Sequence, residues 1–227
     1  MPDEETGRAI LPPLSSADWG SLSHRQVMAE LIGWGWGPCG VGDWAVALRS
    51  PEGDLVARVC PFDPAYAAFL DLCTRCAGHP WLPRIELAAG LEGGGSLAVL
   101  EYLAEAGPED ATRIAGQWQA GEGDEDFAGV RRCALGVDEE YRASTPWWDG
   151  IDMNRAHVRR AADGRLVLID IFCMDGAALY AQILSDVTEV HRQIPRHHMR
   201  YALEIPYIAR AASAAEIRAL RQAWSRA

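Results

Sequence analysis

The sequence predicts an α+β fold, with antiparallel strands dominating the first half and helices the second. Three observations carry the prediction. Short segments in the first hundred residues alternate apolar with small or polar side chains, which is the period of a half-buried strand. From Pro108 onward the apolar spacing lengthens to that of helices, over residues 109–119, 126–142, 177–191 and 214–225. One short hairpin, near residue 163, interrupts the helical half.

Taken in order, residues 1–20 are acidic and rich in Pro and Ser and read as a loose lead-in. Residues 22–32 read as a short helix. Gly33-Trp-Gly-Trp-Gly-Pro-Cys-Gly-Val-Gly42 is a glycine-rich turn, Trp44, Val46 and Leu48 mark the strand that follows, and Pro51-Glu-Gly-Asp54 turns the chain into an antiparallel partner at 55–60. Apolar spacing over 64–76 suits a helix, which His79-Pro80 ends. Residues 85–89 and 97–103 read as two more strands across Glu92-Gly-Gly-Gly-Ser96. No internal repeat is present.

Composition narrows the function classes. The 227 residues carry a formal charge of -11, which disfavours a nucleic-acid or anionic-membrane partner, because such binding depends on neutralising phosphates. All 21 basic residues are arginine. Without a lysine there is no Walker-type P-loop, no Schiff-base lysine and no lysine base. No window approaches eighteen consecutive apolar residues and the N-terminus is acidic, so a cytoplasmic protein is expected. The six cysteines lack the spacing of a disulfide scaffold and are expected as reduced thiols.

The segment whose layout implies chemistry is Gly150-Ile-Asp-Met-Asn-Arg-Ala-His-Val-Arg-Arg-Ala-Ala-Asp-Gly-Arg-Leu-Val-Leu-Ile-Asp170. Residues 158–160 and 166–169 read as strands joined by an Asp-Gly turn at Ala162-Asp163-Gly164. A hairpin folds its ends together. Asp152 and Asp170, eighteen positions apart, are therefore expected at one open end, within reach of a shared ligand.

Gly35-x-Gly37-x-x-Gly40 leads into a strand rather than a helix, which suits a glycine loop laid over phosphates from a β-hairpin. Leu55-Val-Ala-Arg-Val59, a helix, His79-Pro80-Trp-Leu-Pro-Arg-Ile85 and Ala98-Val-Leu-Glu-Tyr-Leu103 follow it, and the two aspartates come last. In that order these motifs resemble the protein-kinase-like superfamily, including its aminoglycoside-phosphotransferase-like branch, from about Gly33 to Asp175. The resemblance implies a two-lobed fold: a lead-in over 1–20, an N-lobe over 21–103 with a sheet and one helix, and a reduced helical C-lobe over 104–227. It implies ATP with Mg²⁺ or Mn²⁺, and a hydroxyl acceptor on a protein or small molecule. Gly35, Gly37 and Gly40 would cover the phosphates and Arg58 would clamp them, oriented by Asp71 or, as the lesser choice, Asp63. Glu101 and Leu103 would form the hinge beside the nucleotide, Asp170 with His157 would hold the metal, and Asp152 would take the acceptor proton.

Several positions depart from the family pattern. Arg58 stands where the family has lysine, and its planar head is a poor isostere. His157 replaces an asparagine that holds magnesium, for which imidazole is a poor ligand. Gly150, Asn154 and Asp170-Ile171-Phe172 depart as well. These changes make a pseudokinase, a binding or scaffolding module without chemistry, the rival reading. Elsewhere, Cys73-x-x-Cys76-x-x-His79 lacks a second ligand pair for zinc. His191, His197 and His198 cluster with Arg192, Arg196 and Arg200, as a solvated basic turn or as a contact for an acidic substrate or partner.

Overall fold

The structure, a computed structural model, describes residues 11–226. Five antiparallel strands build the N-terminal sheet: β1 (Gly37–Val41), β2 (Val46–Arg49), β3 (Leu55–Cys60), β4 (Ile85–Gly90) and β5 (Ser96–Glu101), in spatial order β1-β2-β3-β5-β4. The middle strand β3 is the one with the cleanest sequence signal. Its residues alternate, so Ala57 and Val59 bury one face while Val56 and Arg58 present the other. Register places Ala47, Arg58 and Ala98 side by side across three strands.

The Ala57 face is covered by the helix expected over residues 22–32 and by part of the segment expected as a loose lead-in. Residues 1–10 of the expected lead-in lie outside the described residues. The remainder is ordered into α1 (Leu11–Ser16), with Leu14 and Trp19 buried and the Trp19 indole donating to the Leu14 carbonyl at 2.7 Å. α2 (His24–Gly33) begins at a capping box in which Ser23 and Gln26 satisfy each other's end groups. Its Val27 and Leu31, one turn apart, pack with Trp36, Leu48, Val59, Leu97 and Val99. Each such side chain stabilises the fold by about 1.5–3 kcal/mol when fully buried. A sheet carrying one helix was expected; it carries helices on both faces.

On the other face lies α3 (Pro64–Arg75), opened by the Asp63 N-cap and Pro64 in its first turn. Its Tyr66, Phe69, Leu72 and Cys73 share a core with the second half of the chain. That half runs β6 (Ala104–Glu105), α4 (Pro108–Ala120), α5 (Glu125–Ser144), β7 (Trp148–Ile151), β8 (Val158–Arg160), β9 (Leu166–Leu168), β10 (Phe172–Met174), α6 (Gly176–Gln193), α7 (Pro206–Ala211) and α8 (Ala214–Ser225). The α+β class stands: an N-terminal antiparallel sheet, then a mainly helical remainder.

The expected hairpin is present as β8 and β9, and β6 adds a third strand to it. A second pairing, β7 with β10, joins the segments just outside the hairpin and had no sequence signal. α6 breaks at Asp186, whose backbone is non-helical and whose carboxylate caps the helix that resumes by accepting from the Glu189 N–H at 3.1 Å. Among the described residues no helix is long and apolar enough to cross a membrane.

Candidate functional site

Main-chain hydrogen bonds bring the two aspartate segments together. The Asp152 N–H donates to the Ile171 carbonyl at 2.9 Å, the Ile169 N–H donates to the His157 carbonyl at 2.9 Å, and β7–β10 pairing continues the contact outward. Asp152 is exposed, and its Oδ2 accepts from Asn154 Nδ2 at 3.0 Å. Asp170 sits at φ +51°, in the left-handed region. A non-glycine residue held there costs of order 1 kcal/mol or more, and such strain clusters at functional sites.

Arg58 reaches Asp170 from β3. Its Nη2 donates to Asp63 Oδ2 at 2.5 Å and lies 3.4 and 3.5 Å from the Asp170 oxygens, while the guanidinium carbon stands 3.7 Å over the Tyr66 ring. Asp63 does two jobs: its second oxygen accepts from the Tyr66 N–H at 3.2 Å and caps α3. Burial alone would lower the Arg58 pKa, but the Asp170 and Asp63 carboxylates outweigh it and hold the guanidinium firmly charged. Burial pushes Asp63 up, and the guanidinium opposes it. Arg58 Nη1 is buried without a partner. An unmet buried donor costs about 1–3 kcal/mol, and more on a charged group.

Asp71 does not orient Arg58. It faces outward from α3 and pairs with Arg75 at 2.6 Å, and Arg75 in turn holds Glu140 of α5 at 2.7 Å. The orienting carboxylate is that of Asp63, three residues beyond the end of β3. Its signal was the Asp63-Pro64 helix start, which marks a cap and not an ion-pair partner.

The glycine motif is displaced as well. Gly35 precedes β1, whereas Gly37, opposite Arg49, and Gly40, opposite Ala47, lie on this exposed edge strand. The tip of the hairpin, where the Gly42 N–H donates to the Ala45 carbonyl at 2.9 Å, lies at residues 42–45. The tip residues Asp43 and Trp44 line a cavity of about 410 Å³ with Asp152, Asp175 and Tyr207. A larger cavity, about 750 Å³, lies between the end of α3 and β4, and neither aspartate lines it. At the smaller cavity Cys173 is pushed up to about 12 by burial and then by Asp149 and Asp152, so it is a closed thiol rather than a nucleophile.

Glu101 is buried, and its carboxylate is spent on the Arg84 N–H at 2.9 Å, the Arg84 guanidinium at 2.7 Å and Arg165 at 2.9 Å. Leu103 lies outside β5, in the connection to β6. The Tyr102 N–H between them donates to the Asp54 carbonyl at 2.6 Å.

His157 turns Nδ1 to the Asp152 carbonyl at 2.5 Å, and because a carbonyl only accepts, that nitrogen carries its proton. Among the described residues no three His, Cys, Asp or Glu side chains converge as a metal cage. Cys73, Cys76 and His79 therefore form none. All six cysteines are free.

No protein-family model and no curated protein matches the sequence. Among solved structures, the CAK complex of Chaetomium thermophilum bound to ATP-gamma-S is 17% identical over 65% of this chain and 49% of that one, with a TM-score of 0.38. The aminoglycoside phosphotransferase APH(3'')-Id of Streptomyces rimosus is 14% identical over 89% and 99%, at 0.34. The MAP kinase LmaMPK10 of Leishmania major is 10% identical over 88% and 65%, at 0.30. The chain thus spans about half the length of the first and nearly all of the second.

Proposed function

We propose that the region where Arg58 of β3 meets Asp170, beside the cavity at Asp152, is the nucleotide site of a kinase-like phosphotransferase. In this reading residues 21–103 form the nucleotide lobe and 104–227 the acceptor lobe, and the free thiols suit a cytoplasmic setting. The observation that carries it is Arg58, whose Nη2 lies beside Asp170 while its other terminal nitrogen, Nη1, is buried without a partner. A phosphate oxygen of ATP would satisfy that donor, and a guanidinium already oriented by Asp63 and Tyr66 pays little entropy to bind it.

The chemistry assigned to the chain is positioning and proton transfer. Asp152, which is exposed, accepts the proton of the acceptor hydroxyl as the oxygen bonds to the γ-phosphorus and the bond to the bridging oxygen breaks, leaving ADP. Asn154, hydrogen-bonded to Asp152 Oδ2, orients that carboxylate. The acceptor, a protein or small-molecule hydroxyl, has room in the 410 Å³ cavity beside Asp152. A divalent cation would neutralise phosphate charge. Asp170 suits it as one oxygen donor; His157, whose Nδ1 is spent on a carbonyl, keeps the Nε2 lone pair, a donor better matched to Mn²⁺ than to Mg²⁺, and no step is assigned to the metal.

One observation favours the second reading, a nucleotide-binding module without catalysis. Arg58 already neutralises Asp63 and faces Asp170, so the charge that a catalytic metal would supply is partly supplied by the protein. Melting with ATP and either Mg²⁺ or Mn²⁺ tests both. Ligand at 100 times Kd stabilises by about 2.7 kcal/mol, and Arg58→Ala should abolish that gain. Asp152→Asn should retain it while lowering transfer by roughly 10²–10⁴. No gain with any nucleotide sinks both readings; a gain with no transfer, and no effect of Asp152→Asn, leaves the binding module.

A further inference from the structure

We propose that residues 194–211 form a strap that latches the tip of the β1–β2 hairpin shut over the cavity beside Asp152. Its bearing on catalysis rests on the reading of that cavity given above. The strap leaves α6, crosses the β4–β5 turn, runs past the start of α2 and ends as α7 against the hairpin tip. The hairpin tip and the β4–β5 turn lie at the same end of the sheet, as neighbours in register through the end of β3, and the Glu92 N–H donates to the Leu22 carbonyl just ahead of α2 at 2.9 Å.

The first anchor is built in. The Arg200 N–H donates to the Gly93 carbonyl at 3.0 Å, and the Glu92 carboxylate takes the Arg200 guanidinium at 2.6 Å and the Tyr201 hydroxyl at 2.7 Å. The strap runs so close to the turn that a Cβ on Gly94 would overlap the His198 carbonyl. Met199, Ala202 and Ile205 are buried with Phe62, which follows β3. Glu204 closes this anchor on α2 through Arg25 at 2.5 Å and His24 at 3.3 Å. The basic cluster around His198 is thus partly a docking element and not a free surface.

The second anchor is weaker and sits at the functional place. The Tyr207 N–H donates to the Asp43 carbonyl at 2.7 Å, and Arg210 pairs with the Asp43 carboxylate. Trp44 beside it packs toward Gly176 at the start of α6. Both partners of the ion pair are more than half exposed, at 59% and 51%. α7 has six residues, of which Ile208 is buried. An element with so little buried surface opens locally at low cost. While this latch holds, the tip is held down toward the cavity beside Asp152, and lifting it requires the surface contacts of α7 to break together with the partly buried packing of Trp44 and its carbonyl's bond to the Cys60 thiol.

Hydrogen exchange on the full chain tests the latch without any ligand. Arg210→Ala should speed exchange of amides in residues 40–46 about two- to fivefold, the range set by an exposed ion pair. Asp43→Arg combined with Arg210→Asp should restore the slow rate. Unchanged exchange in Arg210→Ala, or failure of the reversed pair to restore it, overturns the proposal. ATP association with Mn²⁺ should accelerate by the same factor in Arg210→Ala. If exchange behaves as stated and ATP binds neither protein, the latch stands and the phosphotransferase reading falls. If ATP binds both at one rate and exchange is unchanged, the latch falls and the nucleotide site stands.

Discussion

At one end of the N-terminal sheet Glu101 is 6% exposed and meets Arg84 and Arg165; at the other, Asp43 is 59% exposed and meets Arg210. Both are carboxylate–arginine contacts that tie the sheet to the second half of the chain or its approach. They differ in solvent. Glu101 has surrendered its hydration and must keep every partner, because a buried charge left alone is strongly destabilising. Asp43 trades one solvated partner for another and loses little on release. Burial therefore makes the Glu101 end a fixed joint and leaves the Asp43 end openable, although the same chemical groups are used at both.

The largest effect that tests this contrast is at the joint. Glu101→Ala should destabilise the protein by about 3 kcal/mol, read as a lower urea midpoint with unchanged slope; a loss under 1 kcal/mol would erase the distinction between the two ends. Next is Gly94→Ala. Its φ of +87° and the nearby His198 carbonyl should together cost roughly 2 kcal/mol, with faster exchange over the strap as the signature.

A third test uses acid. His24 is held below the ordinary histidine value, by burial first, against the opposing pull of Glu204. Between its folded pKa and the unfolded value of about 6.5 the unfolded chain binds more protons, so stability rises with pH there. Stability should therefore be complete above about pH 6.5 and fall as the pH drops through the depressed folded value. His24→Gln should flatten that slope, and an unaltered slope would remove His24 from the anchor. The smallest effect belongs to the latch: Asp43→Asn should cost about 0.2–1 kcal/mol, and less in high salt.

Legibility followed the same division between local and distant forces. β3, α4, α5, α8 and the β8–β9 hairpin were readable because alternation, helical spacing and an Asp-Gly turn are local. β1 was missed as a strand because an edge strand exposed on both faces has no alternation to show. α1 was read as loose lead-in since its polarity is unremarkable; Leu14 and Trp19 are buried only because a sheet face lies above them. For the partner of Arg58 the expectation of an acid within the helix favours Asp71 over Asp63, and it is the lesser choice, the cap residue Asp63 three residues past β3, that holds the guanidinium.

The sequence by itself determined the α+β order of elements, the lysine-free basic chemistry and the approach of the Asp152 and Asp170 segments, since the hairpin between them closes through its own turn. Only the tertiary structure decided what surrounds them. Arg58 meets Asp170 across 112 positions and Arg210 meets Asp43 across 167, and pairings at such separation leave no periodicity in the chain. They form because burying both faces of one sheet brings together segments that are far apart in the chain.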